Sequence, residues 1–552
     1  MGIHVSHKKC AAWAMATGFL WAGTAMAAPA VPENPGVARE NLERNQAQAG
    51  IESSNVEATE LSNGASFTLN TLSIEPEDGI RFKDEDLAKI AAKYQGQTVT
   101  LKELNAAAAE VTRYFRAHGY PAATAYLPAQ RTTDGRIVIA VEPGKFGNII
   151  IDNQSKVKDA AIKRLVKGLK TGEIVEGKKL ETALYNIIGL GGVKAGGLLQ
   201  PGAQKGESNL TIKVEDGKAE TYVLYANNYG SKSAGRYRYG LTADWYELSG
   251  NGDHLGINGM VSNAHQKNIG LRYDLSTGRS GTRVGLGVSH ANYQLGKALE
   301  ILGAKGTATT YSLYATTPLF HTSQEALFLN YGYDYRDMTD KLNRFSFRTD
   351  KESSAGHLGV SGFKKGKNTN VTYGVTGYAG HIAGRHKING VRIGELAQKG
   401  HYSKGVADLS VVQKLSKEWD ILLKGTAQLA GKDLDSSEEM YLGGATGVRA
   451  YPQGEGSGDN GYQATAEVRY HIPGVQGLAL STYFDIGHVS SKEDAAALRD
   501  TTLKGWGLGL AWTRPNDFFV RVDYARRIGL GDNVSRDAQA KQRVWFMLGK
   551  LW

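Results

Sequence analysis

A change of period constrains this chain more than any other feature. From about residue 218 to Trp552 it runs as segments of roughly ten residues that alternate with period two and are split by turns. In GRYRYGLTADWY, Tyr237, Tyr239, Leu241, Ala243 and Trp245 form one face, and Arg236, Arg238, Gly240, Thr242 and Asp244 the other. In ALFLNYGYDYRD, Leu327, Leu329, Tyr331, Tyr333 and Tyr335 oppose Asn330, Gly332 and Asp334. In DFFVRVDYARR, Phe518, Val520, Val522 and Tyr524 oppose Phe519, Arg521, Asp523 and Ala525. A soluble sandwich also alternates, but here the polar face is often charged and the apolar face often ends in aromatics. That pattern suits lipid outside and water within. About sixteen such segments, at roughly 21 residues per strand and connection, predict a large closed antiparallel barrel. An open sheet cannot satisfy its backbone in lipid, so closure is required.

Composition agrees. Gly (69) and Tyr (27) are abundant and Pro (12) is scarce, which favours many strands and tight turns. The net charge is +10, spread along the chain with no block of Lys and Arg, so nucleic-acid binding is not expected. MGIHVSHKKC followed by the apolar AAWAMATGFLWAGTA has the layout of an export signal, with Ala25 and Ala27 flanking the cleavage site at residues 25–27. The predicted signal peptide is residues 1–27. The only cysteine, Cys10, lies before the apolar run, so the mature chain is expected to hold no disulfide and no thiolate metal site.

Residues 28–66 form a polar segment, either a short helix after Pro35 followed by a linker or a disordered stretch. Two compact units then follow, predicted over 67–143 and 144–217. In the first, FTLNTLSI reads as a strand and KDEDLAKIAAKYQG as a helix. TLKELNAAAAEVTRYFRAHGY is a stronger helix, with Thr100 and Glu103 at capping-box spacing and Leu101, Leu104, Ala108, Val111 and Phe115 as its apolar stripe. AATAYLP and GRIVIAVEPG are strands. The second unit repeats the order strand, helix, helix, strand, strand, which marks an internal repeat. Sheets of about three strands leave edges open, and ATAYLP and LTIKVE are the expected edges for an extended client to pair with.

One loop stands apart. GGATGVRAYPQGEGSGDNGY, residues 443–462, is glycine-rich yet carries Val448, Arg449 and Tyr451 between two strand-like segments. An arginine turned into a confined bore needs a carboxylate. Motifs of nucleotide, zinc-protease and serine-hydrolase sites are absent from the sequence, and residues 456–461 fit G-x-G-x-x-G but lead into a strand. No catalytic residue, metal ligand or cofactor is therefore predicted.

With these features assembled, the chain resembles the two-partner secretion transporters of the outer-membrane insertase superfamily. GYPAATAYLPAQRTTDGRIVIAVEPG and LLQPGAQKGESNLTIKVEDG resemble the ends of two POTRA domains, and NNYGSKSAGRYRYG resembles a first barrel hairpin. The family carries a V-R-G-Y motif on a loop folded into the barrel, here Val448-Arg449-Ala450-Tyr451, and an F-x-D-x-G-like partner, here Phe484, Asp485 and Gly487 in FDIG. The resemblance implies that the inward loop, residues 431–460 between strands 11 and 12, brings Arg449 to Asp485. Ala450 replaces the family glycine and would be strained if its backbone needed a positive φ. The resemblance further implies a mainly β fold, with two small α+β POTRA domains before a transmembrane barrel over 218–552. It implies an outer-membrane location in a Gram-negative bacterium with the POTRA units in the periplasm, and a helix over 36–48 that plugs the resting barrel. The implied partners are a secreted exoprotein (a large β-helical adhesin, haemolysin or toxin), outer-membrane lipid and the barrel-assembly machinery. Export would proceed without nucleotide hydrolysis. The rival readings are a barrel-assembly insertase and a passive porin.

Overall fold

The computed structural model describes residues 50–53, 66–130, 134–294, 303–492, 500–530, 534–535 and 537–552. The predicted signal peptide, its Ala25 and Ala27, and the predicted plug helix lie outside the described residues.

The first compact unit holds helices α1 (Asp84–Ala92) and α2 (Leu101–Ala117) against a sheet ordered Thr71–Pro76, Arg136–Glu142, Thr124–Tyr126. Thr100 caps α2: its hydroxyl accepts the Glu103 N–H at 3.4 Å, and the Glu103 carboxylate accepts the Thr100 N–H at 2.6 Å. This reciprocal pairing satisfies two donors that a helix start otherwise leaves orphaned. Leu104, Ala108, Val111 and Phe115 are buried as expected, but Leu101, at the first position of the helix, is exposed. FTLNTLSI is not one strand. Phe67–Thr68 pairs with Thr98–Val99, and a separate strand begins at Thr71.

The second unit repeats the arrangement with α3 (Asp159–Val166) and α4 (Gly177–Ile188). Its sheet runs Ile51–Ser53, Val193–Pro201, Glu207–Asp216, Lys145–Gln154. Two expectations about edges change here. LTIKVE belongs to Glu207–Asp216, a central strand with partners on both sides. The edge at Val193–Pro201 is occupied by the chain's own Ile51–Ser53, which pairs in parallel with residues 197–199. A short main-chain ladder thus covers that sheet edge. ATAYLP remains an edge strand, at Thr124–Tyr126.

Helix α4 packs on the near end of the barrel. The Thr182 hydroxyl accepts the His321 N–H at 3.1 Å, the Glu181 carboxylate accepts the Ser323 N–H at 2.7 Å, and the Tyr185 ring stacks on His321 at 4.3 Å. Arg283 donates to the carbonyl of Gly189 at 2.8 Å.

The barrel closes with sixteen strands, all antiparallel, and a short extra strand, Val391–Glu395, hairpinned on Thr369–Ile388. Counted from Glu220–Asn227 as barrel strand 1, the last is Gln542–Leu551. Closure is brief: residues 223–227 pair with 547–551. The predicted faces hold. Tyr237, Tyr239, Leu241, Tyr331, Tyr333 and Tyr335 are exposed on the outer wall, whereas Arg238, Asp244, Asp334 and Asp523 are buried inside. Lys550, on the outer face of the last strand, pairs with Asp517 of the adjacent turn, which explains a cation where an apolar residue is expected. Strand 1 leaves the second unit, so connections after odd-numbered strands lie at the far end. Residues 431–459, between strand 11 (Trp419–Ala430) and strand 12 (Asn460–His471), are therefore the sixth far-end loop.

Candidate functional site

The sixth loop turns back into the barrel. Its neck is a two-residue ladder, Met440–Tyr441 against Ser457–Gly458. The chain then doubles over a bridge between Gly443 and Val448, and the Leu442 carbonyl accepts the Val448 N–H at 2.8 Å. Gly444 sits at φ +132°, a backbone conformation that a side chain rarely tolerates, so glycine is required in that bend. The fold-back leaves Val448, Ala450 and Tyr451 fully buried in a cluster with Leu442, Tyr483, Val489, Leu503 and Ala525. The glycine-rich stretch is thus a packed hairpin whose apolar residues dock on the inner wall.

Arg449 is set by that docking. Its Nε and Nη2 donate to the two oxygens of Asp485 at 2.9 and 2.8 Å, and its backbone N–H adds a third bond at 3.1 Å. The Nη1 group reaches Glu467 at 3.2 Å and Asp523 at 3.1 Å. The guanidinium lies 3.1 Å from the centre of the Tyr483 ring. Trp545 closes the arrangement by donating its indole N–H to the Arg449 carbonyl at 2.6 Å. Arg449 is 5% exposed, Asp485 1%, Glu467 4% and Asp523 2%. Buried charges of this kind persist only when their hydrogen-bonding capacity is met. Here the planar fork of arginine is matched by a bidentate carboxylate, a geometry that lysine cannot reproduce. A second cation, Arg521, bonds Asp523 at 2.7 Å and Glu467 at 3.2 Å, so two guanidiniums face three carboxylates.

The residues singled out from sequence do not all join this cluster. Val448, Arg449, Tyr451, Asp485 and Gly487 do. A Cβ on Gly487 would stand 2.8 Å from Leu442 and 3.2 Å from Val448, so the bare backbone there makes room for the loop. Phe484 does not: it lies on the outer face, 40% exposed, because neighbours on a strand alternate sides and Asp485 takes the inner one. Ala450 is not among the residues with positive φ, so its backbone is unstrained. Its Cβ is accommodated because strand 14 (Thr501–Arg514) presents Gly505 opposite, where an added Cβ would meet that of Ala450 at 2.5 Å.

Sequence reasoning missed Glu467, Asp523, Tyr483, Trp545 and Arg521. The signal was present in part. Arg521 and Asp523 were already on the polar face of their segment, and Glu467 follows Gln463 and Thr465 with the same alternation. Alternation places a residue inside a barrel, but not at the height of a particular loop.

A closed sixteen-strand barrel, small α+β units before it and a far-end loop pinned inside by a buried arginine fit the outer-membrane transporters of the two-partner secretion type, and the family comparisons assign the chain to that class. The model of the haemolysin secretion/activation protein family ShlB/FhaC/HecB matches residues 206–512, and the ShlB-type POTRA domain model matches residues 69–144. The chain belongs to that haemolysin secretion/activation family. It is 27% identical over 502 residues to the heme/hemopexin transporter protein HuxB of Haemophilus influenzae, covering 89% of this chain and 88% of the relative. Among solved structures it is similar to CdiB from Escherichia coli (TM-score 0.67, 18% identity, 99% of each chain). It is also similar to CdiB from Acinetobacter baumannii (TM-score 0.63, 16% identity, 100% of each chain). BamA from Haemophilus ducreyi shares the fold at a TM-score of 0.51 and 14% identity, over 88% of this chain and 100% of that one.

Proposed function

We propose that the chain exports one secreted exoprotein through the bore of its barrel, and that the Arg449 cluster is the latch holding the sixth loop inside that bore between transport events. In this reading residues 67–143 and 144–217 are POTRA domains in the periplasm of a Gram-negative cell and residues 218–552 the membrane barrel. The exoprotein is captured unfolded at the near end and leaves at the far end. The observation that carries the reading is a buried arginine, with four side-chain hydrogen bonds, on a loop that enters the barrel from the far end and meets carboxylates on strands 12, 13 (Leu478–Ser490) and 15 (Phe518–Arg527). A passive pore has no need for so specific a contact. The strand edge at Thr124–Tyr126 is the proposed point of capture, where an extended peptide would displace the Thr112 hydroxyl that accepts the Ala125 N–H at 2.9 Å. The edge at Val193–Pro201 becomes available once Ile51–Ser53 is displaced.

The partner is a large secreted β-helical protein. The similarity to a heme/hemopexin transporter favours one that binds a haem carrier over an adhesin, a haemolysin or a toxin. Delivery of the barrel to the membrane is assigned to the barrel-assembly machinery. The test is secretion by cells carrying Arg449→Ala: export of the exoprotein falls while the barrel is still recovered, heat-modifiable, from outer membranes. Undiminished export would refute the latch.

A further inference from the structure

The sixth loop is held in a second place, by charges of the opposite arrangement. On leaving strand 11, the loop presents Asp435 to Lys351 on barrel strand 8 (Phe347–Lys365), with Nζ 2.8 and 3.1 Å from the two carboxylate oxygens. Three residues on, Glu438 takes Arg336 of strand 7 (Glu325–Leu342) on one oxygen at 2.5 Å and Lys404 of strand 10 (Gly400–Lys414) on the other at 2.9 Å. The carbonyl of Glu438 accepts further bonds from Lys404 Nζ at 2.8 Å and Gln428 Nε2 at 3.1 Å. The returning arm of the loop is tied to the same root, since Asp459 accepts the Leu434 N–H at 2.8 Å and its carbonyl accepts from Gln428 at 3.0 Å. Asp435 and Glu438 are 3% and 2% exposed, and Lys351, Arg336 and Lys404 are 6%, 8% and 12% exposed.

The two contacts lie on different sectors of the wall. At the tip, a loop cation meets wall carboxylates on strands 12, 13 and 15. At the root, loop carboxylates meet wall cations on strands 7, 8 and 10. We propose that Asp435 and Glu438 form a second latch, which keeps the loop stretched across the bore whether or not the tip is seated. The physical basis is that a buried charge stripped of its partner is far more costly than either the intact pair or two hydrated ions. Withdrawing the loop's root takes both loop carboxylates from Lys351, Arg336 and Lys404, leaves the wall carboxylate Asp340 near Lys351, and draws water and counterions into that side of the bore. Asp435 and Glu438 are positioning residues: they touch no cargo and act by setting where the loop lies.

The test uses the full chain in planar phospholipid bilayers and needs no exoprotein, so it stands or falls apart from the transport reading. Asp435→Lys turns one attraction into a repulsion with the tip latch untouched, and is expected to raise the fraction of time in a high-conductance state at least about ten-fold. The exchange Asp435→Lys with Lys351→Asp restores the pair in reverse and is expected to return the traces to within about two-fold of the unaltered chain. A merely structural role would not be rescued by exchange. Unaltered traces for Asp435→Lys, or an exchange that fails to restore them, would overturn the proposal. If Asp435→Lys does not insert as a heat-modifiable barrel, Asp435→Asn with Glu438→Gln replaces it. The same rise is expected, and its absence is equally fatal.

Discussion

Arg449→Ala is the most informative single perturbation. It removes four side-chain hydrogen-bonding contacts, two to Asp485 and one each to Glu467 and Asp523, while Glu467 and Asp523 keep their bonds from Arg521. Breaking a buried ion pair by removing one partner costs ~3–5 kcal/mol. Wall-packing of Val448, Ala450 and Tyr451 persists, so the loss falls on the balance between seated and released loop, not on the barrel. At about 1.4 kcal/mol per factor of ten, that shifts the ratio of released to seated tips by roughly 10²–10³ or more. The shift is measurable because the chain has no cysteine after Cys10. Ala525 is fully buried beneath the loop tip, so Ala525→Cys is a reporter that reacts with a membrane-impermeant maleimide only when the tip leaves. Labelling in the Arg449→Ala background is expected to be faster by the same roughly 10²–10³. Asp485→Ala should behave similarly, and the double variant should add far less than the sum of the two, since both remove the Arg449–Asp485 pair. Equal labelling rates with and without Arg449 would refute the reasoning, whatever happens to secretion.

Three further outcomes follow from the same geometry. Gly505→Ala should unseat the tip, because its new methyl meets Ala450 at 2.5 Å, whereas Ala450→Gly should leave Ala525→Cys labelling nearly unchanged and should relieve Gly505→Ala. Trp545→Phe removes the indole donor to the Arg449 carbonyl and should destabilise the seated tip by ~1–2 kcal/mol, read as a roughly five- to thirty-fold rise in labelling. Proline at Ala125 removes the edge-strand N–H that donates to Thr112 and should abolish exoprotein binding, with circular dichroism of a fragment spanning residues 66–217 checking that the unit stays folded without that one bond. Proline at Ile212, in a central strand, should unfold its unit, and binding unaffected by either would exclude strand addition as the mode of capture.

The barrel was legible because lipid and water on its two sides leave a period-two record in every strand, and Tyr333 beside Asp334 is as clear a statement of inside and outside as a sequence offers. The capping box at Thr100 was legible for a similar reason, since both partners lie within one turn. What the sequence could not supply was height and sharing. Phe484 was grouped with Asp485 by motif, yet adjacent strand residues face opposite ways, and only the register with strands 12 and 14 shows which is inside. The partners Glu467 and Asp523 meet Arg449 from strands 18 and 74 residues away, and no local pattern encodes that convergence. The covered edge at Val193–Pro201 was equally hidden, because Ile51–Ser53 is too short to register as a strand until its partner is known.

The central claim is that an exoprotein travels through the bore, and photo-crosslinking during secretion tests it most directly. A photoreactive residue is placed at Asn330, on the inner face of strand 7, and in a second strain at Leu329, its neighbour on the outer face. The account predicts an adduct with the secreted protein from position 330, lost in Arg449→Ala cells, and none from position 329. Normal secretion with no adduct at 330, or adducts only at 329, would contradict it.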